Sequence, residues 1–213
     1  MMDLRLRNAA LAFSLFTLLA SQASAQEAAQ ENGDDLWPCI QRKVPELSLP
    51  QIWNGPELPE VAADWSTDRE VSDLVKEISQ RRVPLEDAEQ KIRDFAESLA
   101  PEGHDDHLFM LARGLFDHMN RERSDVMAGI ERYTRKQIAF ADSVRKETAA
   151  VDALERNPQA DPAEVTRRTD ALTFNTRVFH ERAQSLTYVC EVPTLIEQRL
   201  YRLANTILPL LSS

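Results

Sequence analysis

Three sets of residues carry side chains able to do chemistry. His104, Asp105, Asp106 and His107 put two imidazoles and two carboxylates in four consecutive positions. Imidazole and carboxylate together ligate divalent transition metals, so these four are the candidate metal site. A further histidine, His118, lies three helical turns beyond His107, about 16 Å away by helix rise, so one ion cannot bridge the two. A site would need a ligand from elsewhere. The plainer expectation is that Asp105 or Asp106 caps a helix beginning here and complements its dipole.

The second set is Cys39 and Cys190, the two cysteines of the sequence. In an exported chain such a pair is expected to form a disulfide. Closing a loop of about 150 residues should stabilise the fold by about 5 kcal/mol in the chain-entropy account. An intermolecular bridge and a reactive thiol are the alternatives. The sequence has no Cys-x-x-Cys for thioredoxin-like redox work and no Cys-x-x-Cys-His for covalent haem.

The third set is Trp37, Trp53 and Trp65. They read either as packing anchors, the usual fate of a buried aromatic, or as the walls of a ligand groove. Motifs for other chemistry were sought. There is no Gly-x-Ser-x-Gly, no His-Glu-x-x-His, no P-loop and no Gly-rich dinucleotide turn. With five glycines, phosphate-cradling loops are scarce. His180-Glu181 has no nucleophile beside it. The expectation is a non-enzyme without a cofactor.

The elements that position these residues are helical. At 43% hydrophobic and 7% aromatic, with apolar residues at 3–4 spacing, the composition predicts an all-α domain. The dominant pattern is an antiparallel, coiled-coil-like helical hairpin over 105–190. Phe109, Phe116, Ile130, Tyr133, Gln137, Phe140, Val144, Val151 and Leu154 stripe its first limb, and Val165, Leu172, Phe179 and Leu186 the second, with Cys190 on the same face. Asp161 as cap, Pro162 at the first position and Glu164 restart the helix after a short turn. The polar stretch from Asn120 to Asp125 puts Arg123 on the seam, but without Gly or Pro the helix is expected to continue through it. Gly114 and Gly129 each cost a helix about 1 kcal/mol against Ala and would admit a close neighbour.

The chain reaches this hairpin in stages. Arg5 and Arg7, an apolar run from Ala9 to Ala20 and the small residues Ala23-Ser24-Ala25 predict a signal peptide over 1–25. Residues 26–35 are small, polar and acidic and predict a disordered leader. Then follows one helical domain, 36–213. It opens with a Pro- and Trp-rich strap (36–66), whose prolines exclude a long helix. A smaller helical hairpin follows (67–100), with Thr67 opening a capping box and Pro84 starting the second limb. After the long hairpin, Pro193 predicts a break or kink, and a last helix (193–211) is expected to fold back and complete a four-helix body. Its polar side carries only Arg199 and Arg202, too few for a membrane-surface helix.

The formal net charge is −10, and loss of the signal peptide makes it one unit more negative. Such a chain is a poor binder of nucleic acid or anionic lipid, so membrane contact is not expected. The part of the hairpin near its turn outruns the other elements and is the natural place for a partner. Tyr133, Gln137, Phe140, Val144, Val151, Leu154, Val165 and Leu172 mark it. The sequence therefore predicts a periplasmic or secreted protein that binds another envelope protein or itself, as adaptor or chaperone. The alternative is a periplasmic sensor using the His104–His107 cluster or the tryptophan strap.

Overall fold

The computed structural model describes residues 36–212; the predicted signal peptide (1–25) and leader (26–35) lie outside them. All regular structure among the described residues is helical. In chain order there is a single-turn α1 (Leu49–Ile52), a 3-10 segment (Glu60–Ser66), α2 (Arg69–Ile78), α3 (Leu85–Ser98), α4 (His104–Glu155), α5 (Pro162–Ile207) and a final 3-10 turn (Leu208–Leu210). The two long helices pack against each other as an antiparallel hairpin. At 52 and 46 residues they run about 78 Å and 69 Å.

α4 does not break at Asn120–Asp125, and its start differs from expectation. Gly103 is the N-cap, at φ +80, a left-handed conformation that costs glycine nothing. Asp105 and Asp106 fall inside the first turn, where their charge still opposes the positive helix end. Neither acts as the cap. At α2 the cap also moves by one residue: Asp68, rather than Thr67, accepts from the Val71 amide at 3.0 Å. Asp161 caps α5 as its sequence predicts, accepting from Ala163 N at 3.0 Å.

The larger correction concerns Pro193. It lies inside α5, and the predicted separate helix over 193–211 does not exist; α5 continues to Ile207 and does not fold back. A proline inside a helix loses one hydrogen bond and crowds the carbonyl four residues earlier, at a cost of about 3 kcal/mol. The stripe beyond it supplies more than that. Ile196, Leu200, Leu203 and Ile207 are wholly buried, and each such side chain contributes about 1.5–3 kcal/mol. The bridge at Cys190 fixes the helix just before the proline. Both sides of Pro193 are thus held on one line against α4.

One core fills the base of the hairpin. Leu108, Leu111, Leu115 and Met119 of α4 meet the Ile196–Ile207 stripe of α5, and Val71, Val75, Ile78, Ala88 and Ile92 of α2 and α3 join them. The predicted small hairpin is present as two consecutive helices, but they do not form a unit of their own. α2 rests chiefly on α4, and α3 on α5. Gly114 explains its place here: a Cβ on it would lie 2.8 Å from Val75 Cγ2 and 2.9 Å from the Trp65 ring.

The strap also packs along α4. The amide of Leu47 donates to Asn120 Oδ1 at 3.1 Å, and Asn120 Nδ2 donates to the Leu47 carbonyl at 3.3 Å. Lys43 pairs with Glu131. Trp53 meets Phe109 edge to face, with centroids 6.4 Å apart. Cys39 and Cys190 form the predicted disulfide, tying the start of the strap to α5 across a sequence separation of 151.

Candidate functional site

The four residues of the candidate metal cluster all lie at the base, but they do not converge. His104 Nδ1 is 2.9 Å from Asp105 Oδ1. His107 Nδ1 is 2.7 Å from the Gly103 carbonyl, and its Nε2 is 3.4 Å from Asp68 Oδ2 of the α2 cap. Asp106 is exposed. Asp105 Oδ1 also accepts from the Ser212 amide at 3.0 Å. That bond first, and the His104 contact second, hold the Asp105 carboxyl below the ordinary carboxylate range. Among the described residues no three His, Cys, Asp or Glu side chains are placed to hold one metal ion. The cluster's visible work is to join the end of the chain and the α2 cap to the start of α4.

The tryptophans do not share a groove either. Trp53 is buried, and its indole donates to the Pro56 carbonyl at 2.6 Å. Trp65 donates to Asp117 Oδ2 at 3.2 Å, and Arg113 Nε holds the same carboxylate at 2.9 Å. Trp37, near the disulfide, donates to the Gln41 carbonyl at 2.7 Å. Trp53 and Trp65 anchor two points of the strap on the core, while the indole of Trp37 is tied only within the strap.

Two buried arginines were not legible as such. Arg123, read as a polar intruder on the seam, is 4% exposed and donates from its NH1 to the Val44 carbonyl of the strap at 2.7 Å. Arg199, read as part of a polar face, is 9% exposed and forks two bonds, 3.0 and 2.7 Å, onto the Ile78 carbonyl that ends α2. Burial pulls the pKa of both down, and Glu197 and Glu122 respectively oppose it. A guanidinium remains charged regardless. The two residues fasten the strap and α2 to the hairpin through backbone carbonyls that would otherwise be unpaired.

Beyond this base the hairpin continues as a two-helix arm, about residues 127–189. Its seam is thin. Met127, Ile130, Thr134, Gln137 and Val151 are its buried members on α4. Tyr133, Phe140, Val144, Leu154, Val165 and Leu172 are half-buried, so none of the eight residues marked in the sequence is exposed; they meet across the seam. Phe140 and Phe179 touch at 6.2 Å between centroids. Arg168 grips Glu147 with two bonds, 2.8 and 2.9 Å, which holds the Glu147 carboxyl low. Gln137 Nε2 and Thr169 Oγ1 are buried without a partner.

Where base becomes arm, the seam opens into an apolar groove of about 350 Å³. Val126, Gly129, Ile130 and Tyr133 of α4 and Ser185, Leu186 and Val189 of α5 line it. Gly129 differs from Gly114. A Cβ there would meet only the tip of its own helix's Arg132, at 3.7 Å. The residue weakens α4 by about 1 kcal/mol against Ala, with no neighbour within the chain to require it. Periodicity gave no sign of this groove, because Val126, Ile130, Tyr133 and Leu186 belong to the same stripe as the closed seam on either side.

The chain matches no protein-family model, no curated protein and no solved structure. Among the described residues no helix is long and apolar enough to cross a membrane.

Proposed function

We propose that this is an exported, non-catalytic helical protein that acts by binding another envelope protein, as an adaptor or chaperone-like subunit, with its arm as the contact. The reading places it in the periplasm after cleavage near Ala25-Gln26. The observation that carries it is the asymmetry of the hairpin. The base is enclosed by strap, α2 and α3, whereas past Glu131, where Lys43 of the strap pairs, the arm has only its own two limbs among the described residues. An element that extends roughly 40 Å beyond the core contributes little to that core. A protein-binding role gives such length a purpose. The disulfide fits an oxidising compartment.

The test is in vivo photo-crosslinking from a series of positions along the arm, followed by purification and mass spectrometry of adducts. One dominant adduct confined to arm positions is the expected result. Adducts only from the base, or none from any position, would sink the reading.

A further inference from the structure

We infer that the hairpin has a hinge where base becomes arm, at the level of Gly129 and Val189, about which the arm pivots as a lever. The inference goes beyond the protein-binding reading and does not depend on it. Four observations meet at that level.

The first lies in α4. A helix resists bending through the hydrogen bonds between its turns and through the side chains packed on it. Glycine has the widest backbone freedom, so an interior glycine is a soft point unless packing holds it. Gly114 is held, because a Cβ there would lie within 3 Å of Val75 and Trp65. Gly129 is not, because a Cβ there would meet only the tip of Arg132, at 3.7 Å.

The second lies in α5. Pro193 has no N–H, so the carbonyl of Val189 loses the donor four residues on, and the proline ring crowds that same carbonyl. Prolines and glycines are where long helices kink. A weak point in one limb alone would be splinted by the other limb. Here Gly129 and Val189 line the same groove, so the two weak points stand side by side.

The third is the groove itself. A close-packed seam transmits strain, whereas a void leaves the atoms around it room to move. The open volume of about 350 Å³ lies between the two weak points. The fourth is where the clamps end. On the base side, the bridge holds α5 at Cys190, and the strap holds α4 through Asn120, Arg123 and Glu131. Beyond that level, among the described residues, the limbs have only their own seam. The hairpin thus passes from clamped to unclamped where both limbs are weakest. From Gly129 to the end of α4 at Glu155 is about 39 Å by helix rise. A bend of about 20°, where a sharp kink begins, would carry the turn of the arm sideways by about 13 Å.

The experiment records ¹⁵N–¹H residual dipolar couplings of the mature protein in a dilute aligned medium. A rigid hairpin obeys one alignment tensor throughout. A hinge with excursions of about 20° should scale the arm couplings down by roughly a fifth relative to the base, with the step at Gly129 on one limb and Val189 on the other. Gly129→Ala, which the open space admits, should recover part of the loss. Gly129→Ala with Pro193→Ala, which returns a donor to the Val189 carbonyl, should bring the arm to the values of the base. If the double variant fails to fold, Gly129→Ala alone decides. A single tensor for the unsubstituted protein would overturn the hinge. So would arm couplings that Gly129→Ala leaves unchanged, or that fall off gradually toward the turn, which is fraying of the tip.

Discussion

The base and the arm are made from the same two helices, yet they are held by different means. At the base, large aliphatic side chains from four helices reach complete burial, and two buried arginines and a disulfide bind the strap and α2 to the hairpin. In the arm, a single seam mixes Val, Phe and Met with Thr and Gln, and two of its buried polar atoms have no partner. The difference shows that a heptad stripe fixes the direction of a helix and leaves its stability to whatever else packs on it. The base supplies the free energy, and the arm is carried by it.

The comparison is most sharply tested at the bridge between the two regions. Cys39→Ser with Cys190→Ser should destabilise by up to about 5 kcal/mol in the chain-entropy account, read as a fall in the urea midpoint. A loss under about 1 kcal/mol would mean that the strap is held by its hydrogen bonds alone. Next comes the core. Leu200→Ala should cost about 2–5 kcal/mol at this wholly buried position, whereas Val151→Ala in the arm should cost no more than about 1.5 kcal/mol. Equal losses in thermal melts would erase the distinction between base and arm.

Gln137→Leu should act in the opposite direction. It replaces a buried amide whose Nε2 has no partner, and removing such a group relieves roughly 1 kcal/mol. Slower hydrogen exchange confined to arm amides is the expected signature; faster exchange would mean the amide is satisfied in solution.

The smallest effect is on acid titration. Asp105 at the base and Glu147 in the arm both have carboxyls held low, by the Ser212 amide and by Arg168. A depressed carboxylate contributes stability above its unfolded pKa and loses it as pH falls through the folded value. Both contacts should therefore persist through neutral pH and disappear only below the ordinary carboxylate range. The Ser212 amide resonance and the exchange of amides around Glu147 report them separately. Loss of either contact above that range would contradict the assigned partners.

Much of this was legible from residue spacing. The 3–4 stripe predicted the two long helices and their antiparallel turn, because Asp161, Pro162 and Glu164 restart a helix by local chemistry alone. Two cysteines behind a predicted signal peptide predicted the bridge. Continuity through Asn120–Asp125 followed from the absence of any helix-breaking residue there.

What the tertiary structure decided lies where local signals compete with packing. Pro193 is a local break, and burial of the Leu200 stripe on a single face of α4 overrides it. Arg123 and Arg199 look like surface charges until the strap and the end of α2 present carbonyls that need donors. His104 and His107 look like ligands until Asp105 takes up Nδ1 of the first, and the Gly103 carbonyl and Asp68 face the two ring nitrogens of the second. Gly114 and Gly129 are both interior glycines of α4 and opposite in surroundings, since a Cβ on the first would strike Val75 and Trp65 and one on the second would meet only the tip of Arg132. Sequence by itself determined which residues are helical and which face of each helix is apolar, because these depend on neighbours a few positions away. Which faces found a partner within the chain, and which one was left without, depended on how helices distant in sequence were brought together.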